Sequence, residues 1–479
     1  MRPRSHPRAP GSILLLASAA VVTAALLLPL AYLVIRAVSG GSASLDILDG
    51  RTARIVLDTV ILVVVVCAAS LAIGVPLAWL LTSTDLPYRR ALTVAATLPL
   101  VLPSYVASLA LLGVFGPRGF AQQALEPLGV DRLPDIYGLV GASAALTLST
   151  YPYVLLLAMA GFRSLDPSLV EAARSLGVSR SRLAFRVVLP ALRPSLTAAS
   201  LLVALYTLAD FGAVALMQYP SLTRAVYLQY TAAFDRSAAA TLGLVLIALS
   251  SVALLADALV RRRARYARTG PGAGRRRRTT TLGAWRLPAL GFVGLVVAFF
   301  LVVPLGVLVW WTVKGIQLGH PLSIAWEAAL RTLQVSIAAA IVAVAAAIPV
   351  ALFVRRRPSF VSRALERACF ASNALPGIVI ALSLVFFGAR YGGSLYQSTA
   401  LLVFAYVVRF QPEALAGVSA SLVTVSTRLE EAARGLGRSA GRSFLGITVR
   451  LALPGVLVGA ALVFLSVMKE LPATLLLKP

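Results

Sequence analysis

A membrane-spanning helix needs about 20 apolar residues in a row, and this chain offers eleven such stretches. They run over 13–35, 55–82, 91–115, 138–161, 195–217, 239–260, 287–313, 329–354, 364–388, 399–420 and 451–468. A chain built this way buries its backbone polar groups inside helices, because lipid offers them no partners. The expected fold class is therefore an all-α polytopic membrane protein. Composition agrees: 59% of the 479 residues are hydrophobic and 13% charged, against about 45–50% and 25% in soluble domains. A soluble globular enzyme and a disordered chain are both excluded, and two cysteines cannot make a disulfide scaffold. The first stretch follows Arg2, Arg4 and Arg8 as a signal peptide would, but it exceeds the roughly 7–15 apolar residues of a signal core and reads as an uncleaved span.

The net charge of +26 raises the question of nucleic acid. The basic residues, however, sit in loops between apolar runs, which is the pattern of positive-inside anchors beside anionic lipid. With the N-terminus in the cytoplasm, 31 basic residues fall on the cytoplasmic side and 12 on the other. The partner implied by the charge is membrane lipid, not nucleic acid. Segment 261–286 carries ten arginines with Gly and Pro and no apolar period, the composition of a flexible cytoplasmic linker. It divides the chain into 1–260 and 287–479.

Those two parts are copies. At an offset of 273 residues Thr59 meets Thr332, Pro76 meets Pro349, Arg90 meets Arg363 and Pro103 meets Pro376. At an offset of 260 Pro152 meets Pro412, Glu171 meets Glu431, Gly177 meets Gly437, Pro194 meets Pro454 and Asp210 meets Glu470. The change of offset falls in the loop after the third span, expected outside the cell and longer in the first copy, where a repeat tolerates length best. Six spans per copy is an even number, so both copies enter the membrane in the same direction, with an axis along the membrane normal and a pathway expected between them. Span 239–260 maps to 499–520, so the second copy is one span short within this chain and eleven spans are visible.

The most informative stretches are EAARSLGVSRSRLAFRVVLPALRPSL from Glu171 and EAARGLGRSAGRSFLGITVRLALPGVL from Glu431, each between the fourth and fifth spans of its copy. Glu171, Ala172, Ala173 and Leu176 suit a short helix with a small-residue face that a partner can approach closely. A glycine six residues after the Glu suits the left-handed end of that helix. These duplicated segments resemble the EAA loops of ABC-transporter permeases. The first copy matches through Leu189 and Pro190; the second keeps Glu431, Ala432, Ala433 and Gly437 but has Arg450 in place of Pro190, so its return toward the next span need not follow the first. The resemblance, which covers 55–479, implies two permease halves fused in one chain. It also implies loop helices that dock on two copies of a nucleotide-binding subunit, and an external solute-binding protein. None of Lys314, Lys469 and Lys478 follows a glycine, so no phosphate-binding Gly-Lys-Ser/Thr loop is present. The chain is expected to be no enzyme and to bind no cofactor, with ATP and magnesium used by the partner. The expected location is the plasma membrane. An ion-driven secondary transporter also allows repeats and intramembrane acids, but does not account for paired EAA loops.

ADFGAVALMQYPSLTRAVYLQYTAAFDR (Ala209–Arg236) and FLSVMKELPATLLLKP (Phe464–Pro479) resemble the ferric-iron branch of fused permeases, with the thiamine branch as the alternative. Polyamine, sulfate and phosphonate importers share the EAA loop but usually keep the two permeases as separate chains. A hard cation prefers oxygen ligands. Asp210 and Glu470 are repeat-equivalent carboxylates at the end of a fifth span, and Tyr206 lies one turn before Asp210. An ionisable group at membrane depth marks a pathway by default, so both acids are expected at its external mouth, although Lys469 stands beside Glu470 and is placed to neutralise it. Arg409 and Glu413 flank Pro412 four residues apart and read either as a polar lining of the pathway in one half or as a buried pair that neutralises itself; their counterparts are Ser149 and Tyr153, with Tyr151 opposite Gln411. No fixed metal site or catalytic constellation is expected, and Cys67 and Cys369 read as small buried apolar residues.

Overall fold

A computed structural model of the chain describes residues 10–39, 49–130, 132–233, 235–264, 279–320, 323–372 and 375–478. Arg2, Arg4, Arg8 and linker residues 265–278 lie outside the described residues. Within them the fold is all-α, with one isolated bridge between Thr84 and Thr280. The first-copy helices are α1 (Pro10–Ser39), α2 (Gly50–Ser83), α3 (Arg89–Thr97), α4 (Ser104–Phe115), α5 (Leu139–Ser164), α6 (Pro167–Ser175), α7 (Leu189–Ala209), α8 (Gly212–Leu216) and α9 (Arg236–Ala264). Those of the second copy are α10 (Arg286–Val297), α11 (Val303–Gln317), α12 (Ser323–Arg356), α13 (Phe360–Ala371), α14 (Gly377–Phe387), α15 (Thr399–Thr424), α16 (Thr427–Gly435), α17 (Arg450–Met468) and α18 (Pro472–Leu477).

Ten helical segments among the described residues are long and apolar enough to cross a membrane, and an eleventh only if a bent pair counts as one. That pair corrects the expected straight span at 91–115. A 3-10 turn at Leu98–Val101, Leu102 and Pro103 separate α3 from α4, and the two arms are bent by 99°. Proline removes a donor and clashes with the preceding turn, so Pro99 and Pro103 together end the helix. The second copy does the same at Pro376, which starts α14 after α13 has ended at Ala371, so 364–388 is not one straight helix either. The stretch 195–217 is likewise interrupted: α7 ends at Ala209 and α8 begins at Gly212. At the start of α2, the backbone N–H of Thr52 donates to the Asp49 carboxylate at 2.9 Å, and this cap holds the Asp49 carboxyl below its ordinary pKa.

The helices pack as two compact units whose membership does not follow the order of the sequence. One unit gathers α1, α9 through Ile247, and α12 to α18. In it, α1 lies against the α13–α14 arm: Ser383 donates its hydroxyl to the Pro29 carbonyl, and the hydroxyl of Thr23 meets the Cys369 thiol at 3.5 Å. The other unit gathers α2 to α8, α9 from Ala248, and α10 and α11. Here Val293, Val296 and Phe300 join a core with Leu77, Leu148, Tyr151 and Phe162. Tyr151 is fully buried, donates to the Ala96 carbonyl at 2.8 Å, and sets its ring 5.1 Å from that of Phe300. The last linker residues are not loose: Thr280 exchanges backbone hydrogen bonds with Ser83 and Asp85, and the Leu282 amide donates to the Asp85 carboxylate at 2.9 Å.

Within each unit, helices approach closely at repeat-equivalent places through different residues. A β-carbon on Gly161 of α5 would lie 2.6 Å from the hydroxyl of Ser195 on α7. In the second copy the glycine and serine are exchanged: Gly455 of α17 faces Ser421 of α15, with a β-carbon there 2.5 Å from that of Ser421. Nearby, Gly417 and Gly459 bring α15 and α17 so close that a β-carbon on Gly417 would sit 2.6 Å from the Gly459 α-carbon. Small residues at such crossings let membrane helices gain dispersion contact.

Candidate functional site

The two Glu-Ala-Ala segments fold alike. In the first, α6 ends at Ser175 and Gly177 takes φ +72°; in the second, α16 ends at Gly435 and Gly437 takes φ +85°. The Val178 amide reaches back to the Ala173 carbonyl at 3.1 Å, as the Arg438 amide does to that of Ala433, the hydrogen bonding of a left-handed helix end. Each loop then turns through a short helix, Arg180–Leu183 or Ala440–Ser443. A π-helical stretch follows, Ala184–Val188 or Phe444–Val449, and runs straight into α7 or α17. Arg450 therefore does not alter the path that Pro190 follows in the first copy: each position stands just after the π-helical stretch in an uninterrupted helix. Ala173 and Ala433 face inward, whereas Glu171, Ala172, Glu431 and Ala432 are exposed. Leu176 and Leu436 project with 82% and 87% of their surface open.

The second loop carries a polar tie that sequence reasoning missed. Glu430, one residue before the motif glutamate, accepts a hydrogen bond from the Thr448 hydroxyl and lies 3.9 Å from the Arg356 guanidinium at the end of α12. Arg356 also stands 5.2 Å over the Phe444 ring, and Arg355 donates to the Val425 carbonyl. The motif drew attention to Glu431; the only sequence signal for Glu430 was its extra carboxylate at the start of the helix.

At the far end of α7, Asp210 sits in the break before α8. Its carboxylate accepts from the Ser104 hydroxyl at the start of α4 and from the Ala213 amide at 2.9 Å, while its carbonyl accepts from Thr223 at 2.7 Å. Tyr206 interacts with the hydroxyls of Ser104 and Ser149, and its ring lies 6.1 Å from that of Tyr153. In the other unit, Glu470 occupies the equivalent break between α17 and α18, beside Gly377, where a β-carbon would collide with its carboxylate. The longer acid thus faces glycine and the shorter one faces serine. The Thr474 hydroxyl bridges the Glu470 carbonyl and the Tyr406 hydroxyl.

The expected Arg409–Glu413 pair is not a direct contact. Among the described residues Arg409 and Glu413 make no ion pair within 4.0 Å: Arg409 donates to the Leu375 carbonyl, and Glu413 accepts from Ser466 at 2.9 Å. Helix spacing permitted the pair, but the carbonyl freed at the end of the broken α13 segment takes the guanidinium instead. Lys469 and Arg409 both act electrostatically on Glu413, and Arg409 also acts on Glu470. No group of three or more His, Cys, Asp or Glu side chains is gathered among the described residues.

Comparison with known proteins bears on this arrangement. The family described as the binding-protein-dependent transport system inner membrane component matches twice, at residues 70–266 and 340–478. The chain belongs to that family. It is a membrane permease component of binding-protein-dependent transport, and each match contains one Glu-Ala-Ala loop and the acid at the end of the following helix. The chain is 31% identical to an Fe(3+)-transport system permease protein of Haemophilus influenzae over 94% of this chain and 87% of that one. The molybdenum transport system permease protein of Escherichia coli is 32% identical over 39% of this chain and 83% of its own length. For the sulfate transport system permease protein of the same bacterium the figures are 32%, 38% and 66%.

Proposed function

We propose that this permease imports ferric iron, delivered by an external binding protein and driven by ATP that two copies of a separate ATPase subunit hydrolyse with magnesium. The observation that carries the reading is the extent of likeness. The ferric-iron permease is matched along nearly the whole chain, both halves included, whereas the molybdate and sulfate permeases match about one half's worth.

In this reading the halves are residues 1–260 and 287–479, joined by the basic linker. The N-terminus and both Glu-Ala-Ala loops lie in the cytoplasm, in keeping with the excess of arginine on that side. The exposed α6 and α16, with Leu176 and Leu436 at their tips, dock on the ATPase. Closure of the ATPase pair is passed through the π-helical stretches to α7 and α17, whose far ends hold Asp210 and Glu470 in the polar lining of the pathway, with Tyr206, Arg409 and Glu413. No ATPase activity resides in this chain.

The test is uptake of labelled ferric iron, thiamine, sulfate and molybdate by a deletion strain and its parent. Loss of iron uptake alone is expected. Unchanged iron uptake with loss of one of the others would reassign the cargo. Uptake that survives ATP depletion and collapses with the ion gradient would replace the ATP-driven reading by a secondary transporter.

A further inference from the structure

The polar groups at the far ends of α7 and α17 occupy the same station in each half, yet they are chemically different. Residue by residue, Asp210 corresponds to Glu470, Ser104 to Gly377, Tyr206 to Ser466, Tyr153 to Glu413, Ser149 to Arg409 and Ala209 to Lys469. The contacts correspond too. Tyr206 faces Tyr153 across 6.1 Å where Ser466 donates to Glu413 at 2.9 Å, and the Ala213 amide caps Asp210 as the Ala473 amide does Glu470. The first-half station is one carboxylate, two phenols and two hydroxyls. The second-half station is two carboxylates offset by one guanidinium and one ammonium, with the Ser466 hydroxyl on Glu413 and the Thr474 hydroxyl linking the Glu470 carbonyl to the single phenol, Tyr406.

This difference decides which station a trivalent cation prefers. Carboxylate and phenolate oxygens are hard donors suited to a hard cation. A trivalent ion beside a phenol also lowers the phenol's pKa, so binding proceeds with the proton released to water as the metal–oxygen bond forms. In the second half, the same ion would have to approach the Arg409 guanidinium and the Lys469 ammonium, whose charges formally offset those of Glu413 and Glu470. Resting on the ferric reading above, we infer that Asp210, Tyr206 and Tyr153 form a metal-ligating station in the first half alone. The second-half counterpart, two acids offset by two bases, does not ligate the ion. The two repeat-equivalent acids therefore have different roles.

The test uses the full transporter, permease with its ATPase, in detergent without ATP, and ferric nitrilotriacetate as the probe. Ligation by a phenolate gives ferric iron a visible charge-transfer band. The band is expected in the wild type and in Glu470→Gln. It should be lost in the double variant Tyr206→Phe/Tyr153→Phe, which removes only two oxygens and keeps the rings packed. In proteoliposomes the double variant should lower iron uptake about tenfold, the effect of about 1.4 kcal/mol in the binding equilibrium. A wild type that imports iron without the band, or a double variant that keeps the band, overturns the inference and leaves the ferric reading standing. A band lost in Glu470→Gln also overturns it. A wild type that imports no iron removes the ferric reading itself, and this inference with it.

Discussion

Replacing Gly177 or Gly437 separates two reasons for a glycine in the Glu-Ala-Ala loops. Both have positive φ, +72° and +85°, and a β-carbon built on either meets nothing within 4 Å. Within this chain, then, the cost of a side chain is conformational and not steric. An L-residue in the left-handed region costs about 1–2 kcal/mol, and asparagine visits that region more readily while a β-branched residue avoids it. On the coupling role proposed above, a strain of that size, relieved by unwinding the loop, should weaken the population able to dock on the ATPase by a factor of about 5–30. The expected order of transport activity at each site is Gly, then Asn, then Ala, then Val. It would be measured as iron uptake per ATP hydrolysed in proteoliposomes, with the variant present in comparable amount. The hydrolysis rate itself should fall less than uptake, because the motor is intact and only its lever is loosened. If Asn and Ala are equally damaging, the glycine is needed for close approach by the partner and the backbone argument is refuted. If Val is harmless, the loop has no role in coupling.

Other expected outcomes follow from the packing. Gly161→Ser should cost about 1–3 kcal/mol by overpacking against Ser195, and adding Ser195→Gly should restore most of it, since the second half already uses that arrangement; a thermal melt in detergent reads both. Gly417→Ala has no flexible neighbour to displace, only the backbone of Gly459, so it should lower the melting temperature with no rescue from a side-chain exchange. Glu430→Gln removes a charge-assisted hydrogen bond worth about 1.5–3 kcal/mol. The contribution from half-exposed Arg356 is small. Amide exchange should rise across 427–449 and stay unchanged across 167–188; a rise in both segments would mean that the tie is not local. Asp210→Glu should disturb iron uptake unless paired with Ser104→Gly, which copies the space that Glu470 has beside Gly377.

Much of this architecture was legible because membrane helices are written in long apolar runs, and because the chain repeats itself. The breaks were harder to read. Pro103 and Pro376 were visible as matched prolines, but hydropathy does not change across them, so 91–115 and 364–388 read as straight spans. The pairing of charges was hidden for another reason. Spacing says which residues share a helix face, as Arg409 and Glu413 do, but not which carbonyl from another segment reaches them first. Packing of α1 with α12 to α15, and of α10 with α2 to α5, depends on contacts far apart in the chain that no local pattern records.

The two copies can be read against each other, and the comparison separates three kinds of constraint. Where backbone conformation is fixed, identity is kept: Gly177 and Gly437 share a positive φ, and Pro103 and Pro376 both stand at the start of a helix after a break. Where two helices touch, the pair is kept but its members are exchanged. Gly161 with Ser195 becomes Ser421 with Gly455, and Gly74, whose β-carbon would lie 2.8 Å from Val154, is replaced with its partner by Ala347 and Ala414. The volume between helices matters there, and either side can supply it. The acid and its neighbour also follow this rule, Asp210 with Ser104 and Glu470 with Gly377. Around them the rule fails: Ser149 becomes Arg409, Ala209 becomes Lys469 and Tyr153 becomes Glu413, changes that neither a helix bend nor a packing distance requires. Buried charge is costly in a membrane, so four charged groups where the other half has one acid among hydroxyls and phenols mark a chemical difference between the two halves that the pathway proposed above would put to use.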